Sequence, residues 1–264
     1  MLVLITPDYQ DLSNRAAQMI AKDLLKKPNL VLGLATGNTP LGLYAELIRM
    51  HTLENLDFSA VTTFNLDEYL GLPGDHPQSF YHYIHTHFLN HVNIDHKNIH
   101  VPDGSIRQNF EEYCRHYEEQ IRQAGGIDVQ ILGIGKTGHI GFNEPTSSLA
   151  SRTRLKTLAD ITIQENQKTF GAGEQVPPCA ITMGIGTILE SRRIVLLASG
   201  SSKADAIAKA IEGPIASTIT ASALQLHPDV TVVLDEAAAS KLAYRDYYNK
   251  VVEMTARLTP ERVE

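Results

Sequence analysis

Four loops of this sequence hold the residues whose types and spacing could do chemistry. The longest runs Gly133-Ile134-Gly135-Lys136-Thr137-Gly138-His139-Ile140-Gly141-Phe142-Asn143-Glu144-Pro145. An imidazole titrates near neutrality, so His139 suits acid–base work. Glu144, five residues on, can orient such a histidine and stabilise its charged form; a satisfied structural histidine is the other reading. The same loop contains a literal G-x-G-x-x-G. A dinucleotide site needs that motif to open a substantial helix, with an acidic residue about 20 positions further on. Pro145 interrupts the pattern seven residues after Gly138. Gly135-Lys136-Thr137 copies the end of a P-loop, but Gln130 stands where that motif needs glycine.

Three other loops follow apolar runs. Asp67-Glu68-Tyr69 places adjacent carboxylates after Val61 to Leu66, as a general base or as caps for what comes next. Thr36-Gly37-Asn38-Thr39-Pro40 joins small residues to a helix-opening proline. Backbone N–H groups there can approach an anion at a helix N-terminus, although an ordinary strand-to-helix turn would use similar residues. Ser199-Gly200-Ser201-Ser202-Lys203 adds a lysine able to act as a point-charge phosphate ligand. Two anion-suited loops together favour a phosphorylated substrate. His82, His85, His87 and His91 lack a carboxylate or cysteine at a metal-ligand spacing, so they are expected on a solvated helix face and no metal site is expected.

The elements that must position these loops show in the periodicity. Leu2 to Ile5, Leu30 to Ala35, Val61 to Leu66, Ile127 to Ile134, Ile194 to Ala198 and Val230 to Leu234 are strand-like apolar runs. Leu12, Ala16, Ile20 and Leu24 mark one face of a helix; Tyr44, Leu47 and Ile48 mark another after Pro40. Phe110, Cys114, Tyr117 and Ile121 mark a third, closed by Gly125-Gly126. This alternation predicts an α/β fold, a mostly parallel sheet with helices on both faces. Ligands in such sheets bind beyond the carboxyl ends of the strands, where the four loops fall. No linker or internal repeat divides the chain, so residues 1–264 are expected to form a single domain.

Composition bounds the function. The 264 residues are 43% hydrophobic and 20% charged, ordinary globular usage. Twenty-three Lys and Arg against 30 Asp and Glu give a net charge of −7, which argues against a nucleic-acid partner. No apolar stretch approaches the roughly 18 residues of a membrane span, and Met1 to Asp8 is not a signal peptide. Two cysteines, Cys114 and Cys179, fit free thiols in a reducing cytoplasm.

Taken together, the blocks from Leu32 to Pro40, Thr63 to Pro73, Gly138 to Pro145, Ser147 to Arg154 and Ala223 to His227 resemble the glucosamine-6-phosphate deaminase (isomerase) family over essentially the whole chain. The resemblance implies a modified Rossmann-like fold and conversion of glucosamine 6-phosphate and water to fructose 6-phosphate and ammonia, in amino-sugar catabolism, without a cofactor. It assigns Asp67 as the proton-shuttling base, His139 as the ring-opening acid/base and Glu144 as its supporting carboxylate. Thr36, Gly37, Asn38, Thr39, Lys203 and Lys168 fall at its phosphate positions. Two departures stand out: the family commonly has Asp or an amide at Thr137, and an arginine at Lys168. Lysine keeps the charge and loses the bidentate fork. Some members are hexamers activated by N-acetylglucosamine 6-phosphate, and others are smaller and unregulated. Ser147, Ser148, Arg152, Arg154 and Lys156 fall at the possible allosteric positions, so a homo-oligomer with this site intact is expected. The alternatives are a 6-phosphogluconolactonase-like hydrolase and a non-catalytic sugar-phosphate sensor. The stretch 160–173, with Gly171 and Gly173, suits a lid over the site, and Gly71 to Pro77 suits its rim.

Overall fold

The structure is a computed structural model that describes residues 1–171 and 173–259. Ala172, within the expected lid, and residues 260–264, at the end of the expected domain, lie outside the described residues.

The chain runs β1 (Leu2–Thr6), α1 (Tyr9–Lys26), β2 (Val31–Leu34), α2 (Leu41–Glu54), β3 (Thr62–Asn65), β4 (Asp67–Tyr69), α3 (Phe80–His87), β5 (Ile99–His100), α4 (Phe110–Gln123), β6 (Val129–Gly133), β7 (Arg154–Thr157), α5 (Asp160–Asn166), β8 (Cys179–Thr182), α6 (Ile185–Leu189), β9 (Arg193–Ala198), α7 (Ala204–Ile211), β10 (Val230–Asp235) and α8 (Arg245–Leu258). The local reasons follow the sequence. Asp8 caps α1 by accepting from the Asp11 N–H at 2.9 Å, and Leu12, Ala16, Ile20 and Leu24 are all buried. Gly125 and Gly126, both at positive φ, end α4.

The main sheet has the order β1-β10-β9-β6-β2-β3-β5, with every pair parallel. The expected α/β class and its mostly parallel sheet are therefore present. β2 and β10 are buried along their whole length, as strands covered on both faces must be. At the centre, β2 accommodates the buried Gln130 of β6 through Gly33, whose Cβ would fall 2.1 Å from Gln130 Oε1.

The four consecutive strands β9, β6, β2 and β3 each end in one of the four loops singled out above. Neighbouring strands thus bring to one edge residues that the chain spreads from Thr36 to Lys203. No helix opens after the G-x-G-x-x-G, so the nucleotide readings have no structural support.

A second sheet, β4-β8-β7, is antiparallel and was not expected. It corrects the reading of Asp67-Glu68-Tyr69 as a loop. Leu66 is the crossing point: its N–H donates to the Leu34 carbonyl of the main sheet, and its carbonyl accepts from Met183 N–H beside the small one. Asp and Glu have poor strand propensity, and their partner strands lie far away in sequence, so no local pattern announces this sheet.

Glu68 answers the capping alternative. Its carboxylate accepts from the backbone N–H groups of Tyr69, Phe80 and Tyr81 at 2.8, 3.0 and 2.9 Å, so it fixes the first turn of α3. Glu68→Ala orphans these donors in a buried place and is expected to cost about 2–4 kcal/mol, lowering the melting temperature by roughly 5–10 °C. Thermal denaturation checks this, and an unchanged midpoint would show that the three N–H groups find other partners.

The histidine row is a solvated face apart from His85, which is buried and contacts Asn90 Oδ1 at 3.1 Å. Among the described residues, no group of three or more His, Cys, Asp or Glu is placed to hold a metal. No described helix is long and apolar enough to cross a membrane.

Candidate active site

The sheet edge opens into a cavity of about 500 Å³. Thr36, Gly37, Asn38 and Thr39 line it from β2, Asp67 from β4, His139 from the β6 loop, Lys168 from beyond α5 and Lys203 from the β9 loop. The structure therefore gathers these eight expected residues around one space.

The side lined by Thr36 to Thr39 is built to stay open. Gly37 has φ +98°, a conformation that favours glycine. Tyr9 Oη is shared between the Asn38 and Thr39 carbonyls and accepts from Gly42 N–H at 2.8 Å; Tyr83 Oη donates to the Gly37 carbonyl at 2.6 Å. With the carbonyls held outward, the N–H groups of Gly37, Asn38 and Thr39 have no partner among the described residues. Three free donors beside the start of α2 make an anion cradle. Lys203 Nζ donates to the Ile134 carbonyl at 2.7 Å, and burial pulls the Lys203 pKa below the ordinary lysine value. Asp235, at the end of β10, holds that loop by accepting from Ser199 Oγ at 2.5 Å and from Gly200 N–H. Tyr9, Tyr83 and Asp235 were missed by sequence reasoning because each acts on a loop distant in sequence.

Asp67 is the buried carboxyl of the cavity. Burial, aided by the charge of Glu68, pushes its pKa up to about 8. The histidine loop lies directly against it: a Cβ on Gly141 would stand 3.4 Å from Asp67 Oδ2 and 3.0 Å from Thr182 Oγ1. His139 lies across its own loop, and a Cβ on Gly135 would fall 2.2 Å from its imidazole Nε2. Those approaches give the glycines of this loop their purpose.

His139 Nδ1 meets two partners. Thr137 Oγ1 is 2.8 Å away and Glu144 Oε2 is 3.3 Å away. Glu144 is buried; burial opposes its charge, but His139 and the Ala159 N–H outweigh that and hold its carboxyl below the ordinary value. A buried carboxylate at Nδ1 leaves Nε2 as the nitrogen for proton exchange. Thr137 takes the nearer position with a hydroxyl that orients without adding charge. Thr137→Val is expected to lower kcat/KM about three- to tenfold. Thr137→Asp keeps an acceptor at Nδ1 and should recover most of that loss. Equal kcat/KM for all three proteins would remove Thr137 as a support of His139.

The expected allosteric residues lie elsewhere, and none lines this cavity. Ser147 is buried and Ser148 exposed. Arg152 pairs with Glu118 and Glu190. Arg154 sits in β7 and donates to Asn143 Oδ1 at 2.9 Å, so it braces the histidine loop from behind. Lys156 is half-buried on the same strand.

The chain is similar to known proteins over most of its length. The family described as glucosamine-6-phosphate isomerases/6-phosphogluconolactonase matches residues 8–233. Glucosamine-6-phosphate deaminase of Thermoanaerobacter pseudethanolicus is 51% identical over 246 residues, covering 93% of this chain and 97% of that protein. The solved structure of a monomeric glucosamine-6-phosphate deaminase superposes with a TM-score of 0.89 at 48% identity, covering 91% of this chain and 100% of that one. The 6-phosphogluconolactonase of Trypanosoma brucei superposes with a TM-score of 0.72 at 20% identity over 92% of this chain and 98% of that one, a likeness of fold alone.

Proposed function

The chain belongs to the glucosamine-6-phosphate isomerase/6-phosphogluconolactonase family, and from that premise we propose that it is a glucosamine-6-phosphate deaminase, an enzyme of amino-sugar metabolism that converts glucosamine 6-phosphate and water to fructose 6-phosphate and ammonia. The observation that carries the reading is the buried Asp67 carboxyl against the His139 loop, in one cavity with a phosphate cradle.

The chemistry fits the residues. The phosphate rests on the N–H groups of Gly37, Asn38 and Thr39, with the hydroxyls of Thr36 and Thr39 and the charges of Lys203 and Lys168 around it. Anchoring one end holds the flexible open chain in register. The closed hemiacetal must first open. His139 takes the O1 proton at Nε2 and returns a proton to the ring oxygen, while Glu144 stabilises the imidazolium formed between these transfers. Asp67 as carboxylate then removes the C2 proton while a proton of the substrate ammonium passes to O1, giving an enolamine, and Asp67 delivers its proton to C1. One carboxyl can serve both adjacent carbons from the same side. The resulting C2 imine adds water and releases ammonia. A desolvated carboxylate is a stronger base than an exposed one, which suits a weakly acidic C–H.

The lactonase alternative needs water activation only, and would leave Asp67 without a carbon acid to deprotonate. Side-by-side assays with glucosamine 6-phosphate and 6-phosphogluconolactone separate the two. Turnover of the amino sugar with background lactone hydrolysis is expected; the reverse would transfer the chain to the lactonases. Binding of either without turnover would make it a sensor.

The finer expectations are proposals with their own tests. We place the enzyme in the cytoplasm, where phosphorylated sugars are held. A homo-oligomer, up to a hexamer, is supported by the outward stripe of Tyr244, Tyr247, Met254 and Leu258 on and beside α8, an apolar face that an assembly would bury. Light scattering tests it, and a single 29.1 kDa species would contradict it. Ser147, Ser148, Arg152, Arg154 and Lys156 are proposed as the effector site. Since Arg152 and Arg154 already have partners, an effector must compete for them. Rate curves that superimpose with and without N-acetylglucosamine 6-phosphate would remove this site.

A further inference from the structure

We propose that the Lys136–Glu165 ion pair is a clasp that seats α5, and with it Lys168, over the substrate phosphate; the inference rests on the sugar-phosphate reading above. Lys136 Nζ and Glu165 Oε1 are 2.5 Å apart, with 45% and 30% of their side chains exposed, and both residues line the cavity. Neither has a part in the chemistry derived above.

The pair joins two separate elements of the cavity wall. Lys136 stands on the β6 loop, three residues before His139. Glu165 stands on α5, which has seven residues and is too short to hold its own place. Two other anchors of the segment lie on the second-sheet side, Asn166 Nδ2 to Tyr69 Oη at 2.7 Å and the Phe170 ring against Tyr69, and a third, Ala159 N–H to Glu144 at 3.3 Å, holds the start of α5 to the far end of the His139 loop. The ion pair ties the C-terminal end of α5, from which Lys168 follows, to the start of the His139 loop.

Charge gives a second argument. Glu165 is a carboxylate in the wall of a site that must accept a phosphate dianion, and it acts electrostatically on Lys203 together with Lys136. Unpaired, it would oppose the substrate; bound to Lys136, its charge is cancelled at contact. Lys168 follows Glu165 by three residues, about one turn onward. Fixing Glu165 therefore fixes where the Lys168 stem begins. A lysine lacks the planar fork that lets an arginine orient itself on phosphate, so its placement depends more on the segment that carries it.

The test uses Lys136→Met, Glu165→Gln and the exchanged pair Lys136→Glu with Glu165→Lys, in the full chain at low ionic strength. A part-exposed pair supports an effect of about two- to fivefold. Each single variant is expected to raise KM for glucosamine 6-phosphate by that factor, with kcat changed less than about twofold, as loss of uniform binding requires. The exchanged pair should recover most of the loss. Amide hydrogen exchange over residues 161–170 without substrate should quicken in the single variants and slow again in the exchanged pair. A fall in KM for Glu165→Gln would overturn the clasp, making Lys136 a phosphate ligand held back by Glu165. So would an exchanged pair as poor as the single variants, or unchanged exchange. If the unaltered protein releases no ammonia, the deaminase reading fails, while hydrogen exchange still decides the clasp.

Discussion

Asp67→Asn is expected to lower kcat by about 10³- to 10⁴-fold and, in the same protein, to raise the melting temperature at pH 8. The first effect follows from removing the group that moves the proton between C2 and C1, since an amide of the same shape cannot accept it. The second follows from burial. The Asp67 carboxyl is pushed up to about 8 in the folded protein, above the ordinary value near 4 of an unfolded chain. A raised value means that the fold favours the protonated form. Its stabilising share is complete below about pH 4 and is lost as pH rises toward 8, because the unfolded chain ionises first. Asparagine never ionises, so the gain in melting temperature should grow between pH 4 and pH 8 and level off above. A gain of a few degrees would match the usual scale for a chain of this size. The same carboxyl must be ionised to act as a base, so kcat/KM in the unaltered enzyme should still be rising at pH 7. A melting point that does not respond to pH in this variant would mean that the Asp67 site is wetter than the structure shows.

His139→Gln should lower kcat/KM by about 10²- to 10³-fold, through a different step. Ring opening then falls to the spontaneous rate in solution, while the Asp67 chemistry is intact. The signature is a velocity that stops rising with enzyme concentration once every open-chain molecule formed is consumed. Asp67→Asn should lack this plateau. A velocity that stays proportional to His139→Gln concentration up to the highest levels would place His139 outside ring opening.

These variants differ in what the sequence offered. His139, Glu144 and Lys203 were legible because parallel strands deliver their functional residues at their carboxyl ends, and each follows an apolar run there. The main-sheet strands were legible for a related reason: strands buried on both faces appear as unbroken apolar runs. The second sheet was not. Arg154 to Thr157 and Asp67 to Tyr69 have no such runs, and Asp67 to Tyr69 finds its partner strand more than a hundred residues away. Asp67 and Glu68 show the limit most clearly. As neighbours of like charge they were equivalent in sequence, with a base and a cap both open as readings. Strand geometry sends successive side chains to opposite faces. It gives Glu68 three backbone N–H donors and leaves Asp67 facing the cavity. Tyr9, Tyr83 and Asp235, which set the anion loops, were hidden because a loop's external supports carry no local signature.

The most direct test is the stoichiometry of the reaction itself. Purified protein is given glucosamine 6-phosphate, and ammonia and fructose 6-phosphate are measured from the same tube, with Asp67→Asn in parallel. Equal amounts of the two products, both lost in the variant, are predicted. No ammonia from the unaltered protein, or equal ammonia from the Asp67→Asn variant, would contradict the account.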